Sequence, residues 1–284
     1  MKPTKLILAV SLGLFTLFTS CKKDNTPVTN DSDAVIEATF ELSTDNATAD
    51  FMLEDDNDVL MEAAEDKNLL GNFAPQTIES NNILACADVT VTPQNGFPKT
   101  ILIRFDSTCV SPRGIVRKGV IRIVISDSLR RSGSTAVMTF ENYFVNNFKR
   151  EGTHTWTNTS LPGGKSWQRK VQGGKITAPN GRFWLHESVK DVVQTAGVNT
   201  RATLLDDIFS ITGNASITNP QGVTRTASII LALQKKYICH NIDKGRIRFQ
   251  GPNHIAILDY GDGDCDRVAT ISINGRPPRT ILLP

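Results

Sequence analysis

From residue 83 onward, short runs of alternating apolar and polar positions fill the chain, and turn residues separate them. In residues 208–218 and 223–233, most apolar side chains fall on every second position. Successive side chains of a strand point to opposite faces, so this period is typical of antiparallel strands with one buried face. Asn146-Asn147 and Pro162-Gly163-Gly164 separate further runs, and Asn and Gly tolerate the positive φ of tight turns. The pattern predicts a long antiparallel meander.

The period changes in the acidic stretch before these runs. Residues 44–70 place apolar side chains at helical spacing, with Asp and Glu on the opposite face. The apolar members are Met52, Val59, Leu60 and Ala63. Ser43 or Thr44 would cap this helix, and Gly71 would end it. In residues 35–42, alternation predicts a short strand, with a helix start as the alternative.

Together these patterns predict a mainly β protein. It would contain a long antiparallel meander sheet, shaped as a sandwich or half-barrel, and a short acidic N-terminal helix. The predicted segments are a leader over 1–21, a flexible tether over 22–33, an acidic, partly helical segment over 34–74 and an antiparallel β domain over 75–284. Residues 176–181 have a similar sequence to residues 217–222. Two similar halves meeting near 195–206 are therefore an alternative to one repeated hairpin.

The leader has the three parts of a secretory signal peptide: two lysines, an apolar run, and small residues before Cys21. The apolar run is shorter than the roughly 20 residues that span a bilayer. Phe18-Thr19-Ser20-Cys21 resembles a bacterial lipobox. That resemblance implies cleavage before Cys21 and acylation of its sulfur and new amine, so that acyl chains would bind the membrane. The alternative is an ordinary cleaved signal with a chance cysteine.

Four cysteines remain if Cys21 is lipidated. They are Cys86, Cys109, Cys239 and Cys265. An even number in an exported chain predicts two disulfides. Spacing favours Cys86–Cys109 and Cys239–Cys265, because each pair would close the open end of one hairpin. Buried free thiols are the alternative.

Charge is divided unevenly along the mature chain. Residues 22–66 hold 14 acidic and two basic side chains, whereas residues 67–284 hold 15 acidic and 27 basic ones. This asymmetry indicates either a basic surface for an anionic partner or an acidic segment that docks on its own basic domain. Nucleic acid is excluded as a partner by the predicted export, which leaves anionic polysaccharide as the partner within reach.

Two groups of side chains are candidates for that contact, and their positions are Arg113, Arg117, Lys118, Arg122, Trp156 and Trp167. The basic members would form a charged strand face. The two tryptophans could lie opposite each other across a turn as a sugar-stacking platform, although core packing is the commoner fate of tryptophan. A solvated charged face without a ligand is the alternative for the basic run.

An Asp- and Gly-rich run near the C-terminus is the candidate metal site. Its acidic residues are Asp259, Asp262, Asp264 and Asp266. Three of them have the one-three-five spacing of a calcium loop, but Arg267 and Ile273 stand where an EF-hand has Gly and Glu. Calcium in a looser turn is one interpretation and a solvated turn is the other. No motif for another cofactor occurs.

Several motifs of the chain resemble those of Bacteroidota-type lipoproteins of unknown function. They are IRFDSTC at 103–109, Arg117-Lys118-Gly119, Phe140-Glu141-Asn142-Tyr143, Glu151-Gly152-Thr153 and LDYGDGDCD at 258–266. The resemblance implies a β-rich fold and a place in the cell envelope, in the outer membrane on its periplasmic or surface face. It implies no activity.

Three functions are consistent with these features. The first is a lipid-anchored envelope lipoprotein with a non-enzymatic binding or scaffolding role. The second is a binder of anionic envelope glycans through the basic strand face. The third is a hydrolase with a triad assembled from distant residues, which predicts a deep pocket holding one of the four histidines beside Ser and Asp.

Overall fold

The computed structural model describes residues 31–70, 82–200 and 203–284, except for the side chains of Ser107 and Thr108. Residues 31–284 form one compact unit. Its elements are α1 Asp33–Asp66, β1 Ala87–Thr92, β2 Lys99–Val110, β3 Val116–Ile125, β4 Thr135–Val145, β5 Phe148–Asn158, β6 Ser166–Thr177, β7 Phe183–Ala196, β8 Ile208–Thr218, β9 Thr224–Lys236, β10 Lys244–Gln250, β11 Ile255–Asp262, β12 Val268–Ile273 and β13 Arg279–Leu282. The predicted features at Cys21 and Gly71 lie outside the described residues. Within the described part of the chain, no helix has the length and apolarity needed to cross a membrane.

The thirteen strands form one sheet in which every strand pairs antiparallel with its neighbours in sequence. β1 and β13 are its two edges, so the sheet is open. The mainly β class and the long antiparallel meander are therefore confirmed. Asn146 and Asn147 have φ values of 47° and 67°, as a tight hairpin turn requires. β7 and β8 pair along most of their length, so the sheet runs on through the 195–206 connection.

The helix begins earlier than either expected cap. α1 runs from Asp33, so the prediction of a short strand over residues 35–42 is wrong. Ile36 and Phe40, which share one face of a strand, are four residues apart and also share one face of a helix. The Ser43 hydroxyl donates to the carbonyl oxygen of Thr39 at 2.7 Å, and that of Thr44 to Phe40 at 3.1 Å. These hydroxyls are satisfied within the helix rather than at its start.

The sheet curls around this helix. Of the 34 residues of α1, 22 are buried, and between residues 42 and 64 the buried positions cover all sides. The apolar face packs into the core as the helical spacing predicts. Most of the acidic face is buried as well, and only acidic residues near the two ends of the helix, such as Asp33, Glu37 and Asp66, are exposed. A helix can bury carboxylates on this scale only if each one meets a compensating group.

Glycines at β-bulges bend the strands around the helix. Gly119, Gly152, Gly213 and Gly245 all stand where the strand register shifts, with φ values between 98° and 123°. A Cβ on any of them would come within 3 Å of the backbone of the neighbouring strand. Bulges of this kind increase the local bend and twist of a sheet. They give the meander the curvature that encloses α1.

Both predicted disulfides are present. Cys86 is joined to Cys109 and Cys239 to Cys265, with Cα atoms 5.4 Å and 5.2 Å apart. The first connects the start of β1 to the end of β2, and the second brackets the β10–β11 hairpin. Two disulfides indicate folding in an oxidising, exported environment.

Candidate functional site

The most prominent chemical feature of the molecule is a row of acid–base contacts between α1 and the inner face of the sheet. Its members are Asp45–Arg182, Asp50–Lys190, Glu54–Arg169, Asp55–Arg117, Asp56–Arg150 and Asp58–Lys235. The cations come from β3, β5, β6, β7 and β9 and from the turn before β7. We call this set the inner ladder. The charge asymmetry had two interpretations, a basic surface for an anionic partner or an acidic segment docked on its own basic domain. These contacts correspond to the second interpretation.

Individual contacts of the inner ladder are shielded from solvent. Glu54 and Arg169 approach to 2.7 Å, with side chains 0% and 2% exposed. Asp56 accepts from Arg150 at 2.7 Å and lies 3.0 Å from Nδ1 of His154. Tyr260 donates its hydroxyl to Asp50 at 3.1 Å. The carboxylates therefore lie among cations and hydroxyl donors rather than in hydrocarbon alone.

The pKa values within the ladder reflect this balance. Burial opposes ionisation of Asp56, but Arg150 and His154 outweigh it and hold its pKa below the ordinary value. For Asp58, burial dominates over the opposing charge of Lys235 and raises the pKa to about 6. Burial and the charge of Arg150 lower the pKa of His154. Each of these pKa values is thus set by the balance between burial and the charges of neighbouring side chains.

The hydrolase hypothesis stays a prediction, because half-buried His240 lines a small cavity with Ser111, Asp55 and Asp58, whereas the other three histidines are buried. His154 and His186 are buried inside the sheet, and neither ring nitrogen of His186 has a hydrogen-bond partner among the described residues. His254 contacts Asp31 and, at 2.7 Å, the hydroxyl of Thr39. That hydroxyl also accepts from Arg225 at 2.7 Å, and Thr39 is 0% exposed. The arrangement holds the first turns of α1 against β9 and the turn before β11.

The candidate calcium ligands lie along the end of β11 and the connection to β12. Asp259 pairs with Arg246 at 2.7 Å and accepts from the amide of Gly261 at 2.9 Å. Asp266 accepts from the amide of Val268 at 2.9 Å. Together with Asp262 and Asp264 they border a shallow cavity of about 230 Å³.

In the described part of the chain, these four aspartates do not gather their oxygens at one point. Among the described residues, the potential metal-ligand atoms that do lie within 4.8 Å of one another belong to Cys239, Asp243 and Cys265. The two sulfurs are joined in a disulfide, which removes the thiolates that bind metal. Calcium binding stays a prediction.

The predicted basic and aromatic candidates are divided between the inside and the outside of the sheet. Arg117 points inward to Asp55, because it lies on the face of β3 that meets the helix. Lys118 and Arg122 are exposed on the outer face, and Arg113 is half-buried in the turn before β3. Arg117 is therefore removed from the expected basic strand face.

The two tryptophans do not form an exposed pair. Trp156 is buried in the core, and half-buried Trp167 packs against Phe209 with ring centres 6.1 Å apart. Their large apolar rings contribute to the interior, as is usual for tryptophan. Core packing, the favoured interpretation of Trp156 and Trp167, therefore describes them, and the alternative of an exposed sugar-stacking platform is wrong.

The structure brings together a different set of basic and aromatic side chains on the outer face of β3–β7. We call it the outer basic row, and its members are Lys118, Phe144, Lys149, Lys175 and Phe183. Lys118 Nζ lies 4.3 Å from the ring centre of Phe144, and Lys175 Nζ lies 4.8 Å from that of Phe183. Glu151 lies among them, 3.2 Å from Lys149 and 4.0 Å from Lys175.

Simple alternation would have missed the outer basic row. Inner positions of β4 are Ala136 and Met138, but after the register shift they become Tyr143 and Val145. The shift moves Phe144 to the outside. Only the Gly-containing or Asn-containing stretches that accompany such bulges signal the change in sequence.

A cavity of about 270 Å³ lies where four connections and the C-terminal residue meet. Its polar lining consists of Arg113, Asn146, His240, Asp266 and Arg267. We call it the cationic cavity. Arg113 donates from Nη1 to the carbonyl oxygen of Tyr237 at 3.4 Å, which links the turn before β3 to the turn after β9.

The chain matches no family model, no curated protein and no solved structure.

Proposed function

We propose that this chain is an exported envelope lipoprotein, held to a membrane by acyl chains on Cys21, whose sheet is a non-enzymatic binding module. The leader pattern over residues 1–21 supports the anchor, and two disulfides agree with export. Two or three acyl chains hold a protein at a membrane far more firmly than one, because each buried CH₂ adds about 0.8 kcal/mol.

The observation that carries the binding role is the occupied interior of the sheet. α1 takes up the space on the concave side, and the inner ladder pairs its carboxylates with the inward cations. A partner must therefore bind from outside. A module that folds around its own helix presents a wide, rigid outer sheet surface, which suits an extended partner better than a small substrate.

Anionic envelope polysaccharide is the partner class that the outer basic row favours. Its three lysines lie on β3, β5 and β6, and two of them stand over phenylalanine rings. Ammonium groups attract carboxylate, sulfate or phosphate groups of a glycan, and the rings offer apolar faces to the sugar. A linear polyanion could contact all three lysines at once along the row.

Binding to polygalacturonate, with neutral dextran as the reference polymer, tests this partner class. We expect the full chain to bind polygalacturonate in a salt-sensitive manner, since the Debye length shrinks from ~10 Å at 0.1 M salt to ~3 Å at 1 M. The variant K118Q/K149Q/K175Q should bind ~10-fold more weakly or worse. A matched variant, K244Q/R248Q/R276Q, removes three exposed charges elsewhere and should bind within about 2-fold of the wild type.

Equal losses in both triple variants would mean that net charge, not the outer basic row, attracts the polymer. The anchor is tested separately by mass spectrometry of the membrane-bound protein. Acylated Cys21 at the new N-terminus is the expected result, and Cys21→Ser should release the chain from the membrane. A wild-type protein that carries no acyl group would contradict the anchor.

A further inference from the structure

The cationic cavity collects hydrogen-bond donors from separate parts of the chain. Arg113 comes from the β2–β3 turn, Asn146 from the β4–β5 turn, His240 from the β9–β10 turn and Arg267 from the β11–β12 connection. These residues are far apart in sequence and meet only because the sheet curls. A volume of about 270 Å³ admits a group the size of a phosphorylated sugar but not a folded partner.

Two of the donors are held in place by backbone contacts. Arg267 donates from Nε and Nη2 to the carbonyl oxygen of Leu283, at 3.0 Å and 2.8 Å. No carboxylate of the described residues lies within ion-pair distance of its guanidinium. Asn146 accepts from the amide of Val116 through Oδ1 at 3.0 Å, so its Nδ2 amino group is the end left for a ligand.

The neighbouring charges that affect His240 most belong to cations. Burial, followed by the charges of Arg113 and Lys235, lowers the pKa of His240 to about 4. The imidazole is therefore neutral at pH 7 and can donate one hydrogen bond. Asp55 and Asp58 line an adjacent small cavity that shares Arg113 and His240 with this one, and they are engaged with Arg117 and Lys235 in the inner ladder.

We propose that the cationic cavity binds the phosphoryl group of a small ligand, such as a sugar phosphate or a lipid headgroup. Its donors belong to guanidinium, imidazole and amide groups that approach from four chain segments. A tetrahedral phosphoryl group presents oxygens in several directions and can meet such a set, whereas a planar carboxylate is best matched by one forked donor. This site is separate from the outer basic row and goes beyond the proposed function.

Asp266 opposes anion binding at the rim of the cavity. Its carboxylate lines the cavity next to Arg267 and accepts from the amide of Val268. Because a like charge disfavours a phosphate dianion, Asp266→Asn should strengthen phosphoryl binding. The Cys239–Cys265 disulfide joins the chain segments that carry His240 and Asp266, so it keeps the two sides of the cavity together.

Titration calorimetry of the full chain tests the site with inorganic phosphate, glucose 1-phosphate and vesicles containing phosphatidic acid. Methyl glucoside and glucuronate serve as the probes without phosphate. We expect saturable binding of at least one phosphorylated probe and weaker binding of glucuronate. Preference for glucose 1-phosphate would identify the source as a sugar phosphate, and preference for the vesicles would identify a headgroup.

Variants separate this site from the outer row. R267Q and H240Q should weaken phosphoryl binding ~10-fold, as loss of a charge-assisted or neutral donor does, and D266N should strengthen it. K118Q/K149Q/K175Q should leave it unchanged, even if that variant has lost polysaccharide binding. Near-ultraviolet circular dichroism confirms that each variant is folded.

Two results would overturn the assignment. One is the absence of saturable binding for all three phosphorylated probes. The other is binding that persists in R267Q and H240Q but disappears in K118Q/K149Q/K175Q, which would place the anion on the outer row.

Discussion

Individual residues of the inner ladder carry opposite charges in a space that excludes water. A buried ion pair adds little compared with an apolar pair of the same volume, yet breaking one by removing a single partner is costly. In Glu54, Oε1 accepts from Arg169, while Oε2 is buried and has no hydrogen-bond partner among the described residues. The inner ladder therefore specifies where the helix lies more than it adds to net stability.

Arg169→Met should destabilise the protein by about 3–5 kcal/mol, because it leaves the Glu54 carboxylate buried without its cation. Urea unfolding measures the change. The matched control is Arg131→Gln, which breaks the exposed pair with Asp127 and should cost less than about 1 kcal/mol. Adding Glu54→Leu to Arg169→Met should recover much of the loss. Similar costs for Arg169→Met and Arg131→Gln would show that the Glu54–Arg169 pair is not buried.

Asp207 gives the protein a pH dependence near neutrality. Burial is the main cause that raises its pKa to about 7. The folded state therefore holds a proton that the unfolded state releases near pH 4. This contribution to stability is complete below about pH 4 and is lost as the pH rises through about 7.

Asp207→Asn should flatten that profile. The amide keeps an oxygen to accept from Gln194, which donates to Asp207 at 2.6 Å. The wild type should lose of the order of 2 kcal/mol more than the variant between pH 5 and pH 8, and the variant should be the more stable above pH 8. Urea unfolding at each pH measures this. Parallel pH profiles would mean that Asp207 is ionised throughout.

At the scale of the element, the bulge glycines decide how each strand bends around α1. A Cβ on Gly213 would lie 2.3 Å from the carbonyl oxygen of Val189 on β7, and the residue has a φ of 123°. Gly222 also has a positive φ, 81°, but nothing lies within 4 Å of its Cβ position. Comparing an alanine variant at Gly213 with one at Gly222 therefore separates the effect of a steric clash from that of backbone conformation.

Gly213→Ala should cost about 2–4 kcal/mol, whereas Gly222→Ala should cost about 1 kcal/mol. The first change combines a left-handed backbone with a clash against the adjacent strand, and the second has the backbone penalty alone. Comparison of urea midpoints at equal slope measures the difference. If the two variants are equally stable, close strand approach at the Gly213 bulge does not contribute to the curvature.

Local patterns predict some elements well and others not at all. The β4–β5 hairpin follows from alternation on both sides of Asn146-Asn147, since all of its information is local. The start of α1 does not follow from local pattern, because the spacing of Ile36 and Phe40 fits both the two-residue period of a strand and the period of a helix. Burial of the acidic face of α1 could not be predicted from local sequence. Glu54 and its partner Arg169 are 115 residues apart, and only the curled sheet makes them neighbours.

At the scale of the whole molecule, a single curled sheet encloses the helix. Enclosure accounts for the buried carboxylates, for the inward cations and for a binding surface that lies on the outside. It also implies that α1 cannot leave without exposing the inner ladder and the core, so that helix and sheet unfold as one cooperative unit.

Native-state hydrogen exchange of the amides in residues 42–64 tests this enclosure most directly. If the sheet encloses the helix, these amides should exchange only through global unfolding, with the same free energy as the slowest amides of β5–β7. A helix that merely covers the sheet would detach first, and its amides would exchange with a free energy several kcal/mol below the global value. That second result would contradict the enclosed helix and, with it, the assignment of binding to the outer face.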